Sequence, residues 1–308
     1  PLVRDAGRAA APPGRPAHGF DYTPVDQMAT YTPPTVTGGG ATGYQYDLDK
    51  QLTQVTRPDG ALLTYGYDSG GRLATLTTPA GQYAYAYNPT SGQLGQITAP
   101  AGGTLGYRYD GALLTEIAWS GAVAGRVGFT YDNDFRITAI DVNGADPIAY
   151  AYDLDSLLVQ AGDLALTYDP GNGLLTGTAL GSVTDSLAYT LFGETSQYRA
   201  GQGGSPLLDI AYTRDALGRI TQKLETVGGV TTTYDYAYDS RGQLIEVQRN
   251  GSLAAAYAYD ANGNRLSKTG PGVNEAGTYD DQDRLLTYAG ATYAATANGE
   301  RLTQTDAG

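Results

Sequence analysis

The chain has 308 residues, with 32 Asp and Glu against 19 Lys and Arg, a formal net charge of −13, one histidine and no cysteine. This charge disfavours nucleic acid and anionic membranes as partners, and the lack of thiols excludes disulfides, thiolate metal sites and cysteine catalysis. A single histidine, His18, cannot form a multi-histidine metal site, and no apolar run approaches the roughly 18 residues of a membrane-spanning helix.

The composition predicts an all-β protein. Gly and Pro number 43 and 15, and there are 26 Tyr against 4 Phe and one Trp. So much Gly and Pro predicts many turns and disfavours long helices. So many phenols indicate an apolar surface that stays partly wet, because a buried tyrosine hydroxyl needs a hydrogen-bond partner.

Residues 1–40 differ from the rest of the chain. The prolines at 12, 13, 16, 24, 33 and 34 and the run Gly38-Gly39-Gly40 predict an extended lead-in, in which Tyr22 and Tyr31 suggest a degenerate repeat. The chain begins with proline rather than methionine, so we expect it to be part of a longer protein.

From residue 41 to residue 308 the sequence repeats. Thirteen tyrosines head similar segments, and eight of the twelve intervals between them are 20 to 22 residues long. These tyrosines are Tyr46, Tyr67, Tyr87, Tyr109, Tyr131, Tyr152, Tyr168, Tyr189, Tyr212, Tyr238, Tyr259, Tyr279 and Tyr293. The pattern predicts an array of about 13 units.

Each unit predicts a pair of short strands. A second aromatic residue often lies two residues before the heading tyrosine, and in a strand this spacing places both rings on one face. Asp after the tyrosine predicts a turn, and Gly71, Gly242 and Gly263 stand where a left-handed residue would close it. An aliphatic strand follows and ends at a second turn such as Asn143-Gly144.

The aliphatic residues of this second strand do not fit strand periodicity. Leu73 and Leu76, for example, are three residues apart, whereas residues on one face of a regular strand are two apart. Only about six residues separate the turns, which is too few for a stable helix. We therefore expect a bulge, or a change of face, in each aliphatic strand.

Thirteen units of two strands would give 26 strands, a sheet about 125 Å wide that cannot remain open and flat. Its possible forms are a curled hollow wall, a stacked solenoid or a propeller. The residues alone also leave open that the tyrosines fill the gap between two packed sheets.

The repeats resemble the tyrosine-aspartate (YD) repeats of the RHS family, which occur in bacterial polymorphic toxins, the C components of Tc toxins and teneurins. The resemblance is clearest in Tyr67-Asp68-Ser69-Gly70-Gly71-Arg72-Leu73 and in Tyr259 to Leu266. It implies tandem hairpins that form a long antiparallel sheet spiralling into a hollow shell, part of a β-cocoon. The repeat-defining wall residues would be Tyr46, Asp47, Tyr67, Asp68, Tyr109, Asp110, Tyr131, Asp132, Tyr152, Asp153, Tyr238, Asp239, Tyr259, Asp260, Tyr279 and Asp280.

The function implied by the resemblance is that of a shell segment, secreted or at the cell surface, which sequesters a C-terminal toxin or other cargo polypeptide until delivery. Its partners would be that cargo and the flanking shell repeats of the same protein. The alternative is an extracellular adhesion module whose outer face binds a glycan or receptor.

We expect no catalytic residues, cofactor or metal. Pairs such as Asp47 and Asp49 lack the loop glycine and distal Glu of a calcium-binding EF-hand, so turn capping explains them better. Asp169-Pro170-Gly171 only superficially matches the self-cleavage motif of RHS shells, and we expect a repeat turn there. Trp119 is expected to pack in the wall rather than to stack on a sugar.

Overall fold

The computed structural model describes residues 8–306, and all the regular structure in that range is β-strand. Twenty-nine strands occur instead of the 26 expected, because the lead-in also contributes strands. Residues 1–7 of the predicted lead-in lie outside the described range.

The first half of the chain forms β1 (Arg8–Ala10), β2 (His18–Tyr22), β3 (Met28–Thr32), β4 (Thr42–Tyr46), β5 (Leu52–Thr56), β6 (Leu62–Tyr67), β7 (Leu73–Thr78), β8 (Gly81–Tyr87), β9 (Leu94–Thr98), β10 (Thr104–Asp110), β11 (Leu113–Ser120), β12 (Gly125–Tyr131), β13 (Ile137–Val142) and β14 (Ala145–Tyr152). The second half forms β15 (Leu158–Ala161), β16 (Leu164–Tyr168), β17 (Leu175–Leu180), β18 (Val183–Tyr189), β19 (Thr195–Gln202), β20 (Ser205–Arg214), β21 (Ile220–Val227), β22 (Val230–Tyr238), β23 (Leu244–Arg249), β24 (Ser252–Tyr259), β25 (Arg265–Gly270), β26 (Val273–Tyr279), β27 (Leu285–Tyr288), β28 (Ala291–Ala295) and β29 (Arg301–Thr305).

Every strand pairs antiparallel with the next, which makes one 29-stranded sheet whose two end strands do not pair with each other. The turns therefore lie along two edges of a strip. We call the turns after even-numbered strands YD turns, and they form the YD edge. The turns after odd-numbered strands are return turns, and they form the return edge.

A bulge in every hairpin explains the aliphatic spacing. Tyr67 pairs with Leu73 and Tyr65 pairs with Leu76, while Ala74 is left without a partner. The extra residue places Leu73 and Leu76 on the same face as the two tyrosines. The same register shift occurs in all fourteen hairpins that carry a YD turn, so the expected bulge is confirmed.

Two of the heading tyrosines occupy a different position from the one predicted. Tyr212 and Tyr293 lie two residues before their turns, and Arg214 and Ala295 take the position next to the turn. In these two hairpins the second tyrosine of the pair is replaced, so the visible tyrosine is the first of the pair.

The strip has no packed core. Among the described residues the only buried apolar side chains are those of Pro34, Ala255 and Ala291. The chain exposes 19074 Å², whereas a compact monomer of 32.2 kDa would expose about 12,000 Å². The wall is therefore one sheet thick, and the tyrosines do not fill a gap between two sheets.

Candidate functional site

Most YD turns are built by an aspartate at their first position. In the turn after β6, Asp68 Oδ1 accepts hydrogen bonds from the amides of Gly70 and Arg72 at 2.9 and 3.0 Å. Gly71 closes the turn with a φ of 76°. The hydrogen bond from the Arg72 side chain is the largest of several contacts that lower the pKa of Asp68 below its ordinary value.

Seven of the eight predicted aspartates cap turns in this way. Asp110 is the exception, because it lies within β10 and pairs with Leu113 across a shorter turn. The capping aspartates are Asp47, Asp68, Asp132, Asp153, Asp239, Asp260 and Asp280. Asp169 caps its turn likewise, through the amides of Gly171 and Asn172.

The eight predicted tyrosines all lie at the YD end of an even-numbered strand, where most of them bind the preceding repeat. Tyr152 Oη donates a hydrogen bond to the Ile137 carbonyl at 2.9 Å. This carbonyl belongs to the first residue of β13, beside the bulge. Nine tyrosines make this contact: Tyr67, Tyr87, Tyr131, Tyr152, Tyr168, Tyr189, Tyr238, Tyr259 and Tyr279. The sequence analysis did not predict this hydrogen bond. A signal for it was present, because a leucine or isoleucine recurs 14 or 15 residues before the tyrosine, and its carbonyl is the acceptor.

An arginine adds a second link between repeats. Arg136 forms a salt bridge with Asp132 of its own turn at 2.8 Å, and its guanidinium lies 4.8 Å from the ring centroid of Tyr152 in the next repeat. Arg72 and Arg219 make the same pair of contacts.

The first tyrosine of each pair differs from the second. Within residues 8–306 the hydroxyls of this row make no hydrogen bond with the protein, and their rings are half-buried. The row comprises Tyr44, Tyr65, Tyr85, Tyr107, Tyr150, Tyr212, Tyr236, Tyr257 and Tyr293. One row of tyrosines is thus bound into the wall, and a parallel row presents free phenols on the same face.

Distant parts of the strip meet at a seam. Arg15, in the return turn after β1, contacts Asp283 at 2.9 Å and Asp260 at 3.3 Å, and Asp281 lies 3.9 Å away. The Gln282 side chain donates a hydrogen bond to the Pro34 carbonyl at 2.7 Å.

The seam continues one hairpin further along the strip. Arg57 pairs with Glu300 at 2.6 Å, and Asn298 donates a hydrogen bond to Asp59 at 2.6 Å. The return turn after β5 thus contacts the YD turn after β28, 23 strands later. The return turns after β1 and β3 contact the YD turns after β24 and β26 at the same separation of 23 strands. The return edge of one coil therefore lies on the YD edge of the next, and one coil takes 23 strands.

Two carboxylates of the seam, Asp59 and Asp283, have a lowered pKa. Burial would raise the pKa of Asp283, but hydrogen bonds from Asn264, Asn262 and Arg15 outweigh it, and its pKa lies below the ordinary value. The hydrogen bond from Asn298 is the main cause of the lowered pKa of Asp59.

A cavity of about 520 Å³ lies at this seam, lined by residues that include Thr35, Asp281, Arg284, Leu285 and Tyr293. Within the described range, no three His, Asp or Glu side chains are grouped to hold a metal ion. Trp119 lies against Gly125 on the neighbouring strand, so its ring packs on the wall. In residues 8–306 no helix is long and apolar enough to cross a membrane.

The dimensions of a coil follow from the seam. At about 4.8 Å per strand, 23 strands give a perimeter of about 110 Å and a backbone-to-backbone width of about 35 Å. Side chains take about 5 Å from each wall, so the space inside is about 25 Å wide, too wide for them to fill. The strip therefore forms part of a hollow, spiralling shell.

Known proteins share both this sequence pattern and this fold. The teneurin YD-shell family profile matches residues 12–307. Teneurin-4 of Homo sapiens is 30% identical over 204 residues, covering 62% of this chain and 7% of teneurin-4. Teneurin-3 of Danio rerio is 29% identical over 183 residues, covering 56% of this chain and 7% of the relative.

Solved structures share the fold at lower identity. The crystal structure of TcdB2-TccC3-TEV matches with a TM-score of 0.74 at 14% identity, over 94% of this chain and 19% of that one. TcdB2-TccC3-Cdc42 matches with a TM-score of 0.64, over 94% of this chain and 17% of that one. This chain spans a fifth or less of each of these relatives. With nearly its whole length matched, the chain belongs to the teneurin YD-shell family.

Proposed function

We propose that the strip is a wall segment of a shell that encloses a polypeptide, a toxin or another cargo, until delivery. The observation that carries this proposal is the one-layered coil of 23 strands with no packed core. A folded chain that leaves so much apolar surface uncovered, around a space that its own side chains cannot fill, is suited to hold a guest.

The wall chemistry supports a guest that is bound without a specific pocket. The free phenols of Tyr65, Tyr85 and Tyr150 combine an apolar ring with a hydroxyl that can donate or accept a hydrogen bond. Such a surface can contact an incompletely folded polypeptide in many registers. The net charge of −13 would favour a basic guest if enough of that charge faces inward.

The proposal includes the partners and the location of the shell. We expect flanking YD repeats of the same protein to complete the shell, and the wall itself to be non-catalytic. We expect it to be secreted or at the cell surface, as the resemblance to toxin shells and teneurins implies.

Protease protection in the intact protein tests the proposal. The polypeptide enclosed by the shell should resist a protease that cleaves it readily once the shell is denatured. Arg15→Ala should weaken the seam and increase cleavage of the guest, whereas Arg108→Ala removes a surface ion pair away from the seam and should not. If no segment of the intact protein is protected, encapsulation is wrong.

The alternative, adhesion through the outer face, predicts a different result. In that case a glycan or receptor array should retain the intact protein, and Arg15→Ala should leave that binding unchanged. Array binding without any protected segment would replace the encapsulation proposal.

A further inference from the structure

Two YD hairpins carry another residue in place of the tyrosine next to the turn, and only one of these residues replaces its hydrogen bond. Arg214 Nη2 donates to the Thr195 carbonyl at 3.1 Å, and Thr195 is the first residue of β19. This is the acceptor position that the tyrosines reach in other hairpins. Ala295 has no polar side chain that could reach Leu285, the first residue of β27. Among residues 8–306, no side chain donates a hydrogen bond to the Leu285 carbonyl.

The arginine beside this position also lacks its usual neighbour. Arg284 forms a salt bridge with Asp280 of its own turn at 2.6 Å, as the three arginines that link repeats do with theirs. Those three guanidiniums lie 4.4, 4.8 and 4.9 Å from the ring centroid of a tyrosine in the next repeat. The ring that would cover Arg284 is missing, because Ala295 occupies its position. Arg284 Nη1 is buried and has no hydrogen-bond partner in residues 8–306.

A cavity lies where the missing ring would be. The seam cavity of about 520 Å³ and a smaller one of about 230 Å³ share the lining residues Arg284, Leu285, Tyr293, Ala294 and Ala295. An apolar cavity of about 150 Å³ can bind benzene, so an aromatic ring fits this space. The sheet continues on both sides of the site through β26 and β29, and seam contacts of both neighbouring YD turns flank it. The cavity therefore lies within the strip and not at one of its ends.

The charges around the cavity favour a neutral ring that carries a hydroxyl. Asp280 and Asp281 line it and disfavour an anion, while Arg284 disfavours a cation. The other hairpin shows the opposite case: Glu194, in the position of Arg284, lies 3.8 Å from the Arg214 guanidinium. A guanidinium attracts the face of an aromatic ring, and the carbonyl at the start of β27 requires a hydrogen-bond donor. A phenol supplies both the ring and the donor.

We propose that this cavity is a binding site for a phenol ring, supplied by a tyrosine side chain of a polypeptide or by a free phenol. The bound ring would lie over Arg284, and its hydroxyl would donate to the Leu285 carbonyl. Tyr152 makes these two contacts in its own repeat, with Arg136 and Ile137. The inference does not depend on whether the shell encloses a guest.

Binding of p-cresol, the side-chain analogue of tyrosine, tests the site. Isothermal titration calorimetry should show that this chain binds p-cresol at a single site. Toluene lacks the hydroxyl and should bind about fivefold more weakly, which corresponds to about 1 kcal/mol. Bound p-cresol should slow hydrogen exchange at 280–286 but not at 132–138, where Tyr152 fills the equivalent position. No binding, or protection only elsewhere in the chain, would overturn the proposal.

Filling the cavity with a side chain of the protein should abolish this binding. Ala295→Tyr restores the tyrosine of the other repeats, so it should exclude p-cresol and raise the urea concentration at the midpoint of unfolding. Thr292→Tyr adds the same ring on the opposite, exposed face of the same strand, and this control should bind p-cresol like the wild type. Unchanged binding by Ala295→Tyr would contradict the proposal. The exchange experiment on the wild type decides the question if a variant does not fold.

A capped tripeptide with tyrosine between two glycines distinguishes the two sources of the ring. If it binds as tightly as p-cresol, a tyrosine of a polypeptide can enter the cavity. If only p-cresol binds, the ligand is a free phenol, and either result supports the phenol site. Protease protection of a guest is a separate measurement, so encapsulation and the phenol site can fail independently.

Discussion

At the scale of single residues, the tyrosine before the YD turn holds neighbouring repeats together in nine hairpins. Its hydroxyl binds a carbonyl beside the bulge of the preceding hairpin, and in three repeats an arginine of the preceding turn covers its ring. Bulges leave backbone groups outside the ladder, and an unpaired carbonyl in a half-buried position costs free energy. The tyrosine hydroxyl therefore supplies the hydrogen bond that the bulge leaves this carbonyl without.

Two tyrosines of one strand allow a matched test of this contact. Tyr152→Phe removes the hydrogen bond to Ile137 and should lower the free energy of unfolding by about 1 kcal/mol. Tyr150→Phe removes a hydroxyl without a protein partner and should change it by less than about 0.5 kcal/mol. Urea denaturation measures both values, and equal losses would show that the hydroxyl of Tyr152 has no structural role.

The turn aspartates give the fold a defined acid sensitivity. Hydrogen bonds from Arg72 and Arg219 are the main causes of the lowered pKa values of Asp68 and Asp215, and the backbone amide of Arg136 is the main cause for Asp132. A group whose pKa is lowered by folding adds stability above its unfolded pKa, which is about 3.9, and loses it as the pH falls through the folded value.

Stability should therefore be constant near neutral pH and fall below about pH 4. The triple variant Asp68→Asn, Asp132→Asn, Asp215→Asn should be less stable than the wild type at pH 7, with a smaller difference at pH 3. Denaturation midpoints at the two pH values measure this change. A difference that stays constant between them would contradict the assignment to these carboxylates.

At the scale of the hairpin, each YD turn needs one residue in the left-handed conformation. Glycine usually fills this position, as Gly242 does with a φ of 82°, but Lys50 adopts a φ of 66° there. The left-handed region costs a residue with a Cβ about 1 kcal/mol. The turn tolerates this cost because the aspartate cap and the strand pairing fix the rest of the loop.

Exchanging residues at these positions should have opposite effects. Gly242→Ala should destabilise the protein by about 1 kcal/mol, because the nearest atom to the new Cβ is 3.7 Å away and only backbone strain is added. Lys50→Gly should stabilise it by up to about 1 kcal/mol. Thermal denaturation under reversible conditions tests both, and changes of the same sign would contradict the role of the backbone conformation.

At the scale of the whole molecule, the seam sets the diameter of the coil. Its contacts are few and polar, and they join segments more than 230 residues apart. In the rest of residues 8–306 the strip is held by pairing between adjacent strands and by side-chain contacts between neighbouring repeats. The seam is therefore the part of the wall that can open without unfolding any hairpin.

Removing the central arginine should open the seam selectively. Arg15 is 16% exposed and contacts three carboxylates, so Arg15→Ala removes the cation that links them to the return turn after β1. We expect hydrogen exchange in the turn at 280–284 to rise about fivefold, which corresponds to about 1 kcal/mol. Exchange within β12 to β14 should not change, and the radius of gyration from small-angle scattering should increase. Arg108→Ala is the control, and equal exchange in both variants would show that Arg15 does not hold the seam.

The sequence by itself determined the all-β class, the hairpin unit, the aspartate turns and the bulge. Each of these depends on interactions within about 20 residues, where a motif such as Tyr67-Asp68 followed by Gly71 leaves few alternatives. The mean spacing of the repeats could not show that Tyr212 and Tyr293 lie two residues before Arg214 and Ala295, which occupy the position next to the turn.

Only the tertiary structure decided where the strip meets itself and which edges touch. With 23 strands per coil, each strand contributes about 16° of curvature, so an error of about 1° per strand would shift the seam by more than one strand. No local sequence motif determines the angle between neighbouring strands to within about 1°. The pairing of Arg15 with Asp260 and Asp283 results from the sum of many small angles.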